Sequence, residues 1–182
     1  MDRKIVSLTL TSLLILLSIG VSVRFIKSAE DSPTTWTVDD DGPADFHTIQ
    51  EAINAANDGD TIFVSSGMYY ENVVVNKTVL LIGENRETTI VDGSGIGVVV
   101  IVKANSSIIN GLTVRNSGPV WTIDCGIHLF ECSNVTIQNN IVENNSGNGI
   151  NFKESSGNTI SENDITANTL KGIWFYRSSN NS

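Results

Sequence analysis

The amino-acid sequence predicts an all-β solenoid: a right-handed parallel β-helix with coils of about 23 residues and a capping helix at its amino-terminal end. Three observations carry this reading. First, Ile137 to Asn145 (IQNNIVENN) superposes on Ile160 to Asn168 (ISENDITAN) at an offset of 23. The same offset carries Gly126, Ile127 and Leu129 onto Gly149, Ile150 and Phe152, and then onto Gly172, Ile173 and Phe175. Second, apolar residues alternate along short segments of each copy, the period of a strand with one face inward. Third, asparagine fills 20 of 182 positions while the four charged residue types make up only 17%. That balance suits turns and stacked amides, not helices.

A unit of this length with two or three short strands cannot close a core alone, so it must stack on its own copies. Parallel stacking at about 4.8 Å per coil sets Asn140 over Asn163 and Asn145 over Asn168, where inward amides bond one another along the axis. Left unpaired inside, each amide would cost about 1–3 kcal/mol. A leucine-rich solenoid has a similar period, but its leucine consensus is absent.

In chain order, Arg3 and Lys4 precede an uncharged run from Ile5 to Val23, followed by Arg24 and Lys27. A basic start before an apolar run reads as an export signal, and its length also suits a membrane anchor. Residues 1–29 are therefore assigned to a signal peptide or anchor, with cleavage expected after Ser22 or Ala29, and residues 30–182 to the solenoid. Asp39, Asp40 and Asp41, with Gly42 and Asp45, form an acidic turn that offers oxygens to Ca²⁺ but reads first as a solvated approach to the helix. That helix has Ile49, Ala52, Ile53 and Ala56 on one face, Thr48 and Glu51 as a capping box, and Asn57, Asp58 and Gly59 as its stop. Its expected role is to cover the open end of the first coil. Short strands are expected over Thr61–Val64, Asn72–Val75, Val79–Ile82, Thr89–Val91, Val98–Val102 and Ser107–Val114. Ile109 to Ser117 aligns with the later copies only at an offset of 28, which places a five-residue insertion within Gly118 to Cys125. The chain stops inside a coil at Ser182, so further sequence, or end-to-end association at an open carboxyl-terminal coil, is expected.

Cys125 and Cys132 are the only cysteines. The strand expected between them holds them about 23 Å apart, beyond disulfide reach, and sets His128 on the opposite face from Cys125, so no metal site is assigned to them. Residues 30–182 carry 19 acids against 7 bases, which repels phosphate backbones and argues against nucleic acid as a partner. Contact with a membrane is expected only through the N-terminal segment.

The segment Val38 to Glu84, VDDDGPADFHTIQEAINAANDGDTIFVSSGMYYENVVVNKTVLLIGE, resembles the opening of pectin-lyase-like right-handed β-helix proteins, most closely NosD-type and archaeal cell-surface β-helix repeat proteins. The resemblance covers residues 36 to 182 and implies the fold, through cap helix, turns and core strands. The related pectin methylesterases imply a catalytic Asp pair, a Gln and an Arg in later coils; no residues of this sequence match that constellation. Copper handling, implied by the NosD name, has no supporting residues.

Function is sought on the outward files of the aligned strands. One file holds His128, Asn151 and Trp174, the next Phe130, Lys153 and Tyr176. A groove lined by His128, Asn151, Lys153, Trp174 and Tyr176 would stack on sugar rings and bond their hydroxyls, unless the insertion bearing Trp121 covers it. Lys153, Arg115 and Arg177 read as solvated charges, and Asp124, Glu131, Glu154 and Asp164 form no fixed carboxylate pair of the kind glycoside hydrolysis needs. The resulting expectation is an exported, cell-surface protein that binds polysaccharide or cell-envelope glycan, or serves as a structural or adhesion element. The alternative is a polysaccharide-active enzyme, a lyase, epimerase or esterase, with catalytic residues partly outside this chain. No cofactor is assigned beyond the weak Ca²⁺ hint.

Overall fold

A computed structural model describes residues 32–120 and 123–182. The proposed leader and Trp121 lie outside the described residues. Strand β1 (Thr35–Val38) and helix α1 (Ile49–Ala55) precede five three-strand windings. These are β2 (Thr61–Val64), β3 (Gly67–Tyr69) and β4 (Val73–Val75); β5 (Leu80–Gly83), β6 (Thr89–Asp92) and β7 (Val100–Val102); β8 (Ile108–Asn110), β9 (Thr113–Arg115) and β10 (Cys125–Phe130); β11 (Thr136–Gln138), β12 (Ile141–Glu143) and β13 (Asn148–Lys153); and β14 (Thr159–Ser161), β15 (Asp164–Thr166) and β16 (Ile173–Tyr176). Each winding gives one strand to each of three parallel sheets, ordered β1-β2-β5-β8-β11-β14, β3-β6-β9-β12-β15 and β4-β7-β10-β13-β16. The molecule is a right-handed parallel β-helix, as the repeat predicts.

Register follows the sequence offsets. Ile127 pairs with Ile150 and Ile150 with Ile173, both at 23. Val114 pairs with Val142 at 28, so the extra five residues fall between β9 and β10, within the expected insertion. Earlier windings are less regular: Ile62 pairs with Leu81 at 19, and Leu81 with Ile109 at 28. Burial alternates along most inner-winding strands, though β13 is buried from Asn148 to Phe152, and Ile127, Leu129, Ile150 and Phe152 are fully buried. Side chains of this size are each stabilised by roughly 1.5–3 kcal/mol on leaving water. Phe175 stacks on Phe152 with ring centroids 4.7 Å apart.

The amide ladders close as expected. Asn163 Oδ1 accepts from Asn140 Nδ2 at 3.0 Å, and Asn168 Oδ1 from Asn145 Nδ2 at 2.9 Å. A third ladder, Asn158 to Asn181 at 2.9 Å, joins them. Corners between strands use left-handed backbone, with Asn116, Asn139 and Asn144 at φ 52–57°, a conformation that Asn tolerates better than most residues. Glu131, Glu154 and Arg177 take the same conformation after β10, β13 and β16, which their residue types do not announce.

Helix α1 buries Ile49, Ala52 and Ile53 and packs on β1, β2 and β4. Thr48 Oγ1 accepts from Glu51 N at 3.3 Å. The distal half of the cap comes from Glu71, whose carboxylate accepts from Ile49 N at 2.8 Å and Gln50 N at 3.0 Å. Three strand expectations are corrected. The run Ser107–Val114 breaks at Gly111, whose φ of +74° turns the chain from one sheet to the next. Val98–Val102 shortens to β7, and β3 begins at Gly67, outside every expected strand, where Gly67 pairs with Thr89. Among the described residues no helix is long and apolar enough to cross a membrane.

Candidate functional site

The third sheet carries its outward side chains in two files. His128, Asn151 and Trp174 occupy successive register positions after Ile101, and Phe130, Lys153 and Tyr176 run beside them. This arrangement follows from strand alternation, because Ile127 and Leu129 turn inward and their neighbours must turn out. The files line an open cleft of about 440 Å³ bounded by His128, Phe130, Asn151, Lys153, Trp174, Tyr176 and, from the inserted loop, Ile123. All five residues expected in the groove meet there.

Trp174 and Tyr176 stack with centroids 5.7 Å apart and planes 22° from parallel, so they present a continuous aromatic wall. Lys153 Nζ stands 4.8 Å from the centre of the Phe130 ring, and the His128 ring meets the Phe130 ring edge-on at 5.8 Å. Asn151 departs from expectation. It is 2% exposed, and its carbonyl already accepts from Asn148 Nδ2 at 2.8 Å, so the two-point amide contact with a sugar is reduced to its NH₂ end. His128 Nε2 is buried without a hydrogen-bond partner, an arrangement that calls for an explanation in a folded protein. Burial, then the positive charges of Lys153 and Lys103, lower the His128 pKa from its ordinary 6.5, leaving the imidazole neutral at physiological pH.

No carboxylate lines the cleft among the described residues. Asp164 is engaged by Arg86 at 2.8 Å, Glu154 by Arg177 at 3.5 Å, and Asp124 accepts from Val120 N at 3.0 Å. Arg115 corrects the expectation of a solvated charge. Its Nε donates to Asp92 at 2.9 Å on the second sheet, and Asn116 Nδ2 donates to the same oxygen at 2.7 Å. Burial pushes the Asp92 carboxyl up, but the Ser94 N–H, Arg115 and Asn116 together outweigh it and hold the pKa below 3.8. The repeat offset was the available signal for this pair, since Asp92 and Arg115 are register partners 23 residues apart. Cys125 and Cys132 are buried free thiols, and burial raises both pKa values.

This geometry defines a β-helix protein with an aromatic, cationic cleft on one sheet. Residues 53–182 match the family model of NosD, described as a periplasmic copper-binding protein, and the chain belongs to that family. The description agrees with a location outside the cytoplasm. A probable pectinesterase/pectinesterase inhibitor of Arabidopsis thaliana is 40% identical over 81 residues, 37% of this chain and 15% of that protein. A cell surface glycoprotein of Methanothermus fervidus is 31% identical over 135 residues, 73% of this chain and 21% of that protein. The chain thus spans about a fifth or less of these relatives. Among solved structures, the pectin methylesterase from carrot superposes with a TM-score of 0.56 at 17% identity, covering 86% of this chain and 66% of that one. A pectin methylesterase in complex with a hexasaccharide gives 0.52 at 15% identity, over 69% and 49%. At these identities the superpositions show the shared fold.

Two points follow. The expectation of a binding, structural or adhesion element is corrected, because the pectinesterases of Arabidopsis, tomato and orange among the relatives are enzymes. Copper does not fit the described residues. Both thiols are buried in separate positions, His47 bonds the Asp39 carbonyl at 2.9 Å, and His128 lies among lysines. The grouped donors are Asp39, Asp40 and Asp41, with ligand atoms within 4.8 Å of one another. An oxygen-only set matches Ca²⁺ or Mg²⁺, not copper.

Proposed function

We propose that the protein is a polysaccharide-active enzyme of the carbohydrate-esterase type, acting outside the cytoplasm on an ester-bearing glycan of the pectin class. The cleft on the third sheet is its sugar-holding groove. Trp174 and Tyr176 supply a flat apolar wall for pyranose rings, the Asn151 NH₂ a donor for a hydroxyl, and Lys153 a cation for a uronate carboxylate. The observation that carries the reading is the meeting of these side chains in one open cleft of about 440 Å³. Support comes from relatives that are pectinesterases and from a pectin methylesterase of the same fold that holds a hexasaccharide. The groove binds and orients. The acid and base for ester cleavage come from groups outside its lining. Anchoring at the cell surface through residues 1–29 belongs to the same reading.

The test is methanol release from methyl-esterified pectin by the full chain. Release is expected, and Trp174→Ala should raise KM about two- to tenfold, the equivalent of a lost aromatic contact. Release of neither methanol from methylated pectin nor acetate from acetylated pectin would overturn the proposal.

A further inference from the structure

The groove does not end at His128. A second, smaller hollow of about 200 Å³ lies on its N-terminal side, lined by Val98, Ile101, Lys103, Ile123, His128 and Phe130. The two hollows share Ile123, His128 and Phe130, so they form one trough along the coil axis. Lys103 directly follows Val102, the register partner of Leu129, and falls beside Phe130; Lys153 is the register partner of Phe130 on the other side. The two lysines therefore occupy positions on either side of Phe130, on coils two rungs apart, about 9.6 Å along the axis at the spacing of parallel strands. In a chain of formal charge −9, this trough gathers cations and, among the described residues, no carboxylate.

We infer that Lys103 and Lys153 are paired specificity posts that select a glycan bearing free carboxylates two rungs apart, with His128 beside Phe130 on the coil between them as the third group near the bound anion. The inference rests on the sugar-groove reading above and adds Lys103, the smaller hollow and a charge requirement to it. Among the described residues, those around His128 are Ile101 from β7 and Lys103 just beyond it, Phe130 from its own strand, Asn151 and Lys153 from β13, Trp174 from β16 and Ile123 from the loop; only the lysines are charged. In the free protein they oppose protonation of the imidazole. A carboxylate held between the posts supplies the missing opposite charge and favours the imidazolium, so binding takes up a proton and strengthens as pH falls. The His128 side chain lines both hollows, so its protonation answers to the charge that occupies them.

The experiment is calorimetric titration of the full chain with a de-esterified oligogalacturonate and with a neutral cello-oligosaccharide of equal length, at about pH 5 and pH 7.5, on either side of the ordinary histidine range. The acidic oligomer should bind more tightly than the neutral one, and more tightly at the lower pH. Lys103→Gln and Lys153→Gln should each weaken acidic-oligomer binding roughly three- to tenfold, more than they weaken neutral-oligomer binding, with the melting temperature unchanged. His128→Asn should flatten the pH dependence. Equal affinity for the two oligomers, or a Lys103→Gln variant that binds the acidic oligomer like wild type, overturns the inference. Selective binding without methanol release refutes only the esterase reading, and methanol release without charge preference refutes only the posts.

Discussion

Replacing Asn140 by leucine, a residue of similar volume, isolates the amide ladder from packing. Asn140 is fully buried. Its Oδ1 accepts from Leu112 N at 3.0 Å, and its Nδ2 donates to the Ile109 carbonyl at 2.9 Å and to Asn163 Oδ1 at 3.0 Å. Asn140→Leu leaves the Leu112 N–H without its acceptor, at about 1–3 kcal/mol, and removes two further neutral bonds worth about 0.5–1.5 kcal/mol each. The total of about 2–6 kcal/mol is a large share of the usual 5–15 kcal/mol stability of a domain. With a urea m-value of about 2 kcal/mol/M, the midpoint should fall by about 1–3 M in circular-dichroism titrations. Solenoid coils interact with nearest neighbours, so native-state hydrogen exchange should accelerate first at residues 109–112 and 140, before helix α1. A midpoint shift below about 0.3 M, or uniform loss of protection along the chain, would refute the ladder as a source of stability.

Two other perturbations have defined signs. The folded pKa of Asp92 is depressed, so its contribution is fully present above the unfolded carboxyl value and lost as pH falls through the lower folded one; Asp92→Asn should therefore flatten the decline in melting temperature between about pH 5 and pH 2, and an unchanged slope would contradict the assignment. Gly83 lies where a Cβ would strike the Gly111 carbonyl and approach Leu112 Cδ2 to 2.7 Å, whereas a Cβ on Gly59 meets nothing within 4 Å, though its φ is +95°. Gly83→Ala should cost about 1–3 kcal/mol from overpacking between coils and Gly59→Ala about 1 kcal/mol from backbone strain. Thermal melts that rank the two in the opposite order would count against the close coil contact.

The legible parts of the fold are those with repetition. Ile127, Ile150 and Ile173 share one residue type at one offset, so both the inward column and the outward files of the groove could be read before any coordinates. Asn140 and Asn145 were legible for the same reason. Where windings vary in length, as from Ile62 to Leu81 and on to Ile109, periodicity carried no register, and the break at Gly111 and the strand at Gly67 went unseen. Long-range partners were equally hidden. Nothing local marks Glu71 as the cap of α1, since it comes from 22 residues beyond Ile49. The five groove residues were found from strand alternation, whereas Lys103 was not, because its coil precedes the regular repeat and pairs with β10 at an offset of 27. The hydrogen bond from Asn148 to Asn151 joins residues three apart on one strand, of opposite parity, a pairing that alternation does not foretell.

The central claim is that successive windings lie in phase, which places Lys153 and Tyr176 side by side at the rim of the groove. Cysteine cross-linking measures that phase directly. Lys153→Cys with Tyr176→Cys should oxidise readily to a disulfide located by mass spectrometry, because register partners stand about 4.8 Å apart, inside the bridging limit of about 7 Å. Lys153→Cys with Trp174→Cys, displaced by two residues along the strand, should stay reduced. Bridging of the second pair in preference to the first would contradict the account.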